Sequence, residues 1–354
     1  MAPEADGLAF LLAIIGGVSF GTISVPYKAP AVLKLRADPW IPLVFLCYKA
    51  CVVLAFGLIL MIANVARDLP ACVLNPWSFF AALTFVLYTG CAIPATWRLG
   101  MGLNSFSTQS MLTSLLFFVG LMFGETMKRH GPPGKEFVLA PYYLVALIVG
   151  MAFLVLSVEW KRGYQQLEDE DLSKSISTKD LIIGLFFSFV TAVCGMSKYS
   201  IIALGRVVEA GKFDCKECPA EVHYRNEFDI MGSYMTSFGL GTAFWTLLSA
   251  AMLVGWRKYQ GHEMPQWHFH PLAFYASIAG LCWTGGFFCV SLAMQRGGNS
   301  AMGPASSAVS LLTSGTWALL YYREVRDSRR LLCFVGSATW CAVFALLLSK
   351  EIHK

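Results

Sequence analysis

The residues able to do chemistry inside this 354-residue chain are few, and most are cations or amides set in apolar surroundings. Lys49 sits midway in one apolar block and Lys198 in another, while Lys28 closes a third after Val25-Pro26-Tyr27. Gln109, Asn104, Asn299 and Tyr199 are the remaining polar side chains placed to meet a solute. An ammonium in hydrocarbon costs roughly 2.5–3.5 kcal/mol on insertion scales, so it faces a cavity or a partner. A central group of lysines suits a solute rich in hydroxyl, carboxylate or phosphate oxygens. The alternative for Lys28 is snorkelling to the interface. Matching Ser19-Phe20 to Ser188-Phe189 sets Lys28 opposite Ser197, one residue from Lys198, so the two occupy similar places in the first block of each half.

What is missing matters as much. No Asp, Glu or His lies centrally in an apolar block, and all six histidines fall in polar segments. An intramembrane hydrolase or metalloenzyme needs such groups at its site. The expectation is therefore no catalytic residue, no cofactor and no metal. Cys215-Lys-Glu-Cys218 followed by His223 could be half of a zinc site, but no second CxxC follows. Gly285-Gly286 and Gly297-Gly298 permit close helix contact and are not phosphate loops, because no Lys-Ser/Thr follows at the required spacing. Most aromatics, Tyr27, Tyr88 and Trp283 among them, read as packing or interface anchors, and a few could stack on a sugar ring.

The elements that must position these residues are membrane helices. The composition is 56% hydrophobic and 14% charged, where a soluble chain carries about 25% charged residues. Crossing about 30 Å of hydrocarbon takes roughly 20 apolar residues. Ten blocks qualify: Leu8–Val25, Ile41–Ala63, Ser78–Trp97, Phe106–Gly124, Val138–Val158, Leu181–Leu204, Ile230–Gly255, Leu272–Gln295, Ala301–Tyr322 and Leu331–Ser349. Continuous apolarity excludes a β-barrel, whose strands alternate. The net charge of +5 forms no basic stripe, so nucleic acid is not an expected partner. Lipid and a small-molecule solute are. Lys and Arg divide almost evenly between the two sides, which leaves orientation open.

The blocks fall into two sets. A polar linker, 161–180, carries Glu168-Asp169-Glu170-Asp171 and separates a first repeat, 1–160, from a second, 181–354. Sliding Asn75–Leu121 forward by 195 positions aligns Pro76 with Pro271 and Thr89-Gly90 with Thr284-Gly285. The same shift aligns Tyr88 with Trp283, and Gly102-Leu-Asn104-Ser105 with Gly297-Gly-Asn299-Ser300. Five helices per half is an odd number, so the halves are inverted, an arrangement that secondary transporters use to expose one central site to either side. Asn104-Ser105 and Asn299-Ser300 would then cap the fourth and ninth helices. The expected fold class is all-α integral membrane, about ten transmembrane helices as an inverted 5+5 repeat.

This architecture resembles the drug/metabolite transporter superfamily. Gly21-Thr-Ile-Ser-Val-Pro26-Tyr-Lys28 resembles the Gly-x-x-x-Val-Pro-x-Lys ending of the first helix in the eukaryotic transmembrane protein 144 family. That family is regarded as carbohydrate transporters and is related to the bacterial rhamnose–proton symporter. Gly303-Pro304 through Trp317-Ala-Leu-Leu-Tyr-Tyr-Arg-Glu324 is similar to the family's ninth helix, and Phe123-Gly124-Glu125 to the end of its fourth. The sixth block departs, reading Cys194-Gly-Met-Ser-Lys198-Tyr199 without Val-Pro. The resemblance implies carbohydrate transport with both termini cytosolic. The expected function is a secondary carrier of a sugar or related small polar metabolite working by alternating access. Its alternatives are a sugar-phosphate or nucleotide-sugar exchanger, a membrane-embedded enzyme, and a non-transporting receptor or scaffold.

Overall fold

The computed structural model describes residues 7–66, 74–122, 126–132, 135–157, 178–212, 234–261, 263–297, 299–322 and 328–353. The acidic linker, the Cys215/Cys218/His223 group, Glu125 and Glu324 lie outside the described residues. Ten long helices are described: α1 (Gly7–Thr22), α2 (Ile41–Val65), α3 (Pro76–Leu99), α4 (Met101–Met122), α5 (Ala140–Ser157), α6 (Thr178–Lys212), α7 (Met235–Tyr259), α8 (Phe269–Gly297), α9 (Asn299–Thr316) and α10 (Ser328–Lys350). Short helical turns at Ser24–Tyr27 and Pro30–Leu33 follow α1, and a π-turn, Trp317–Tyr321, follows α9.

The boundaries have local causes. Asn75 caps α3, its side chain accepting the Ser78 N–H at 3.0 Å, and Pro76 takes the first helical position. Gly100, at φ 84°, ends α3, a conformation that costs glycine no Cβ clash. Met101 begins α4 at once, so Asn104 lies inside the helix. The expected cap at Asn104-Ser105 is corrected: the reversal is made by Gly100, and no side-chain cap is needed. Asn299 does open α9, though its side chain is not described.

Seven of these helices, counting Gly7–Tyr27 as one, are long and apolar enough to cross a membrane: α1, α2, α3, α6, α7, α8 and α10. Ser, Thr and Asn are frequent in α4 and α9, where Asn104, Ser107, Thr108 and Thr113, and Ser306, Ser307, Ser310 and Ser314, are buried. The outer faces carry Leu11, Ile15, Ile59, Ile62, Phe186, Leu247 and Met252, all exposed. So large an apolar exterior is stable only in lipid. The chain is an all-α, multi-pass membrane protein.

Packing depends on small residues and indoles. α1 lies against α8 and α9 through Gly16, Gly17 and Gly21. A Cβ on Gly17 would stand 2.6 Å from the Ser306 carbonyl oxygen, and one on Gly21 would stand 2.6 Å from that of Ser310. α2 crosses α7 where Gly57 meets Gly239. Such close backbone approach is how helices gain dispersion energy where no hydrophobic force separates them from lipid. Three indoles join neighbouring segments by donating to backbone carbonyls. Trp97 Nε1 bonds Tyr27 O at 3.0 Å, Trp245 Nε1 bonds Phe79 O at 2.9 Å, and Trp340 Nε1 bonds Ala146 O at 2.8 Å.

Four two-residue strands complete the description. β1 (Thr126–Met127) pairs antiparallel with β4 (Ile352–His353), and β2 (Arg129–His130) pairs with β3 (Phe137–Val138). The segment after α4 is thereby tied to the segment after α10. The Lys128 N–H donates to the Glu351 carbonyl at 2.7 Å, and His130 Nε2 meets Glu351 Oε2 at 2.5 Å. The ends of α4 and α10 and the start of α5 therefore share one face of the protein.

Candidate functional site

Two lysines meet in the middle of the bundle. α2 carries Lys49 and α6 carries Lys198, with relative exposures of 0% and 3%. Lys49 Nζ donates to Tyr27 Oη and to Thr89 Oγ1, each at 3.1 Å. Tyr27 is held there by the turn that ends the first segment, and Thr89 by α3. The same nitrogen stands 5.0 Å from the Phe85 ring centre, 5.6 Å from Trp283 and 5.7 Å from Tyr88.

Lys198 Nζ is surrounded by rings: Trp283 at 4.7 Å, Tyr199 at 4.8 Å, Phe20 at 5.0 Å, Phe287 at 5.1 Å and Tyr88 at 5.4 Å. The two ammonium groups thus share the faces of Tyr88 and Trp283, whose centres are 6.5 Å apart. Desolvated cation–π contacts contribute about 2 kcal/mol or more each, and they offset part of the several kcal/mol that burying an ammonium costs. Among the described residues neither lysine has a carboxylate partner.

Trp283 anchors the cage from α8. It stacks on Phe287 at 5.2 Å and on Phe238 of α7 at 5.6 Å, and Phe85 meets it edge-on at 4.3 Å. Two polar atoms here are buried without a hydrogen-bond partner: Trp283 Nε1 and Tyr199 Oη. Burying such groups unpaired costs about 1–3 kcal/mol each, so each is open to a further hydrogen bond.

The other residues singled out from the sequence keep different company. Lys28 is buried, but its ammonium stands 4.7 Å over the Tyr322 ring. Tyr322 in turn donates to the Val25 carbonyl at 2.8 Å. Of the three lysines expected at a central site, Lys49 and Lys198 share this cage and Lys28 stands apart from it. The physical reason is Pro26: the first segment breaks into short turns at 24–33, whereas α6, lacking Val-Pro, runs on to Lys212. Asn104 is absorbed in a network. Its amide donates to Thr96 Oγ1 at 2.8 Å and its carbonyl accepts from Ser188 Oγ at 2.7 Å, joining α3, α4 and α6. Gln109 is half-buried on α4 and touches neither lysine in the described contacts.

The rings are what sequence reasoning undervalued. The signal was present, because the 195-residue shift aligns Tyr88 with Trp283, and these are the two rings shared by both lysines. Among the described residues no group of His, Cys, Asp and Glu is placed to hold a metal ion.

No family model matches this chain, and no curated protein matches it. Eleven chains of solved structures match. One, described as "Crystal structure of protein", is 17% identical with a TM-score of 0.56, covering 97% of this chain and 98% of the other. At that identity the likeness is one of fold, and it extends over nearly the whole length of both chains.

Proposed function

We propose that this protein is a secondary carrier of a sugar or related small polar metabolite, with ten membrane-spanning helices arranged as an inverted 5+5 repeat and working by alternating access. The observation that carries the reading is the enclosed lysine–aromatic cage, to which residues 1–160 contribute Lys49 and Tyr88 and residues 181–354 contribute Lys198 and Trp283. A site at the junction of two repeats is what rocking one half against the other exposes to each side in turn.

The helix contacts support the repeat. Exchanging each helix with the one five places along turns α1–α8 into α6–α3, α1–α9 into α6–α4, and α2–α8 into α7–α3, and every one of these pairs packs together. The pairs α2–α7, α4–α9 and α5–α10 map onto themselves, and each of them also packs. That is the pattern expected of a two-fold axis passing between α2 and α7, where Gly57 faces Gly239. α4 and α9 pack against each other and their Ser, Thr and Asn side chains are buried within the bundle, which allows both to cross.

Counterflow in proteoliposomes tests the proposal. Vesicles holding the purified full-length protein are preloaded with one solute from a panel of neutral sugars, sugar acids and sugar phosphates, then diluted into its labelled form. Protein-dependent accumulation that Trp283→Ala abolishes is the expected result. Folded protein that moves no member of the panel would overturn the reading.

A further inference from the structure

We propose that the cage takes an oxyanion, a phosphate or a carboxylate, carried on a small ring-bearing body, so that the solute is an anionic sugar-like metabolite. This rests on the carrier reading above. The hydrogen-bonding inventory leans toward donors. Two ammonium groups and the Trp283 N–H can only donate. Of the hydroxyls beside them, Tyr27 Oη and Thr89 Oγ1 are engaged by Lys49 at 3.1 Å, and Tyr199 Oη can donate as well as accept. A neutral sugar presents hydroxyls that donate as well as accept, and a site for it needs acceptors. Here no carboxylate is in contact among the described residues, and Asn104 is committed to Thr96 and Ser188.

An oxyanion answers each of these features. It brings only acceptors and supplies the charge that the two cations lack. It also brings acceptors for the buried Trp283 Nε1 and Tyr199 Oη, whose rings both flank Lys198. Tyr88 and Trp283, 6.5 Å apart between centres, are the aromatic wall beside both ammonium groups against which the body that carries the anion would pack.

Glucose, glucuronate and glucose 6-phosphate share a ring and differ in charge, so they serve as the probes. Thermal stabilisation of the detergent-purified full-length protein reads binding, and counterflow in proteoliposomes reads transport. One or both charged sugars are expected to raise Tm and to exchange, glucose to do neither. Inorganic phosphate in parallel shows whether a free phosphate alone suffices. Lys198→Met is expected to weaken the charged sugar on the order of 10²-fold, as losing one partner of a buried charge pair does. The empty variant should be at least as heat-stable as the parent, because an unpaired buried ammonium is gone. Tyr199→Phe removes a single hydroxyl, keeps the fold, and should weaken the same ligand several-fold. Glucose exchanging as well as its charged relatives, with Lys198→Met leaving half-saturation unchanged, overturns the oxyanion inference and leaves the carrier standing. Stabilisation by a charged sugar without flux in any arrangement overturns the carrier and leaves the site. Neither stabilisation nor flux with either charged sugar overturns the oxyanion inference.

Discussion

Gly285 and Gly286 are neighbours on α8 that should respond to the same substitution in opposite ways. A Cβ on Gly285 meets nothing within 4 Å. A Cβ on Gly286 would stand 2.9 and 3.0 Å from two atoms of the Phe20 ring and 3.2 Å from the Gly16 carbonyl oxygen. Replacing glycine by alanine within a helix gains about 1 kcal/mol of propensity. Overpacking at a tight contact costs about 1–3 kcal/mol. Gly285→Ala should therefore be stabilised by up to about 1 kcal/mol. Gly286→Ala should range from neutral to about 2 kcal/mol less stable. The functional consequence is sharper. Relief at Gly286 requires Phe20 to move, because the other obstacle is backbone, and the Phe20 ring lies 5.0 Å from Lys198 Nζ. Gly286→Ala should lose solute affinity through this displaced wall of the cage, and Gly285→Ala should not. Heat-stability curves on the purified variants, with counterflow on the same preparations, measure both quantities. Equal Tm and equal flux for the two variants would refute the packing argument and the placing of Phe20 at the site together.

Four further substitutions separate structural from solute-binding roles. Asn104→Ala leaves Thr96 and Ser188 hydroxyls without their buried partner and should cost about 1–3 kcal/mol; the yield of folded protein falls while half-saturation in counterflow is unchanged. Gly57→Val brings a branched side chain against the Met235 carbonyl, 3.0 Å from the position of its Cβ; it should force α2 from α7 and abolish folded protein on size exclusion, whereas Gly255→Ala, with open space around its Cβ, should behave as the parent. Glu351→Gln replaces the carboxylate that meets His130 Nε2; limited proteolysis within 126–138 should accelerate, with transport retained.

Much of the helical framework was legible in the chain, because lipid imposes a demand that shows in every window of sequence. Each of the ten apolar blocks has a described helix counterpart, and α2 begins at Ile41 and α8 spans Phe269–Gly297 around the expected Leu272–Gln295. Larger differences arise where backbone chemistry acts outside the apolar run. Asn75 and Pro76 start α3 before Ser78, and Gly100 places the α3–α4 reversal five residues ahead of Phe106. Intramembrane lysines were legible too, since cost alone marks them.

Which lysine meets which was decided by tertiary structure. Position along a block tells depth in the membrane, but the direction a side chain faces depends on how its helix is rotated and crossed, and that follows from contacts between residues far apart in the chain. Gly16, Gly17 and Gly21 seat α1 against α8 and α9, and Gly57 against Gly239 sets the α2–α7 crossing. Those close approaches turn Lys49 toward Tyr27 and Thr89, leave Lys28 over Tyr322, and commit Asn104 to Thr96 and Ser188. Tyr88 and Trp283, matched along the sequence, became the shared walls of one cage only once two helices from different halves were brought within 6.5 Å of ring contact. The solvent specified where helices form, and backbone-to-backbone fit at a few glycines specified which side chains share the interior.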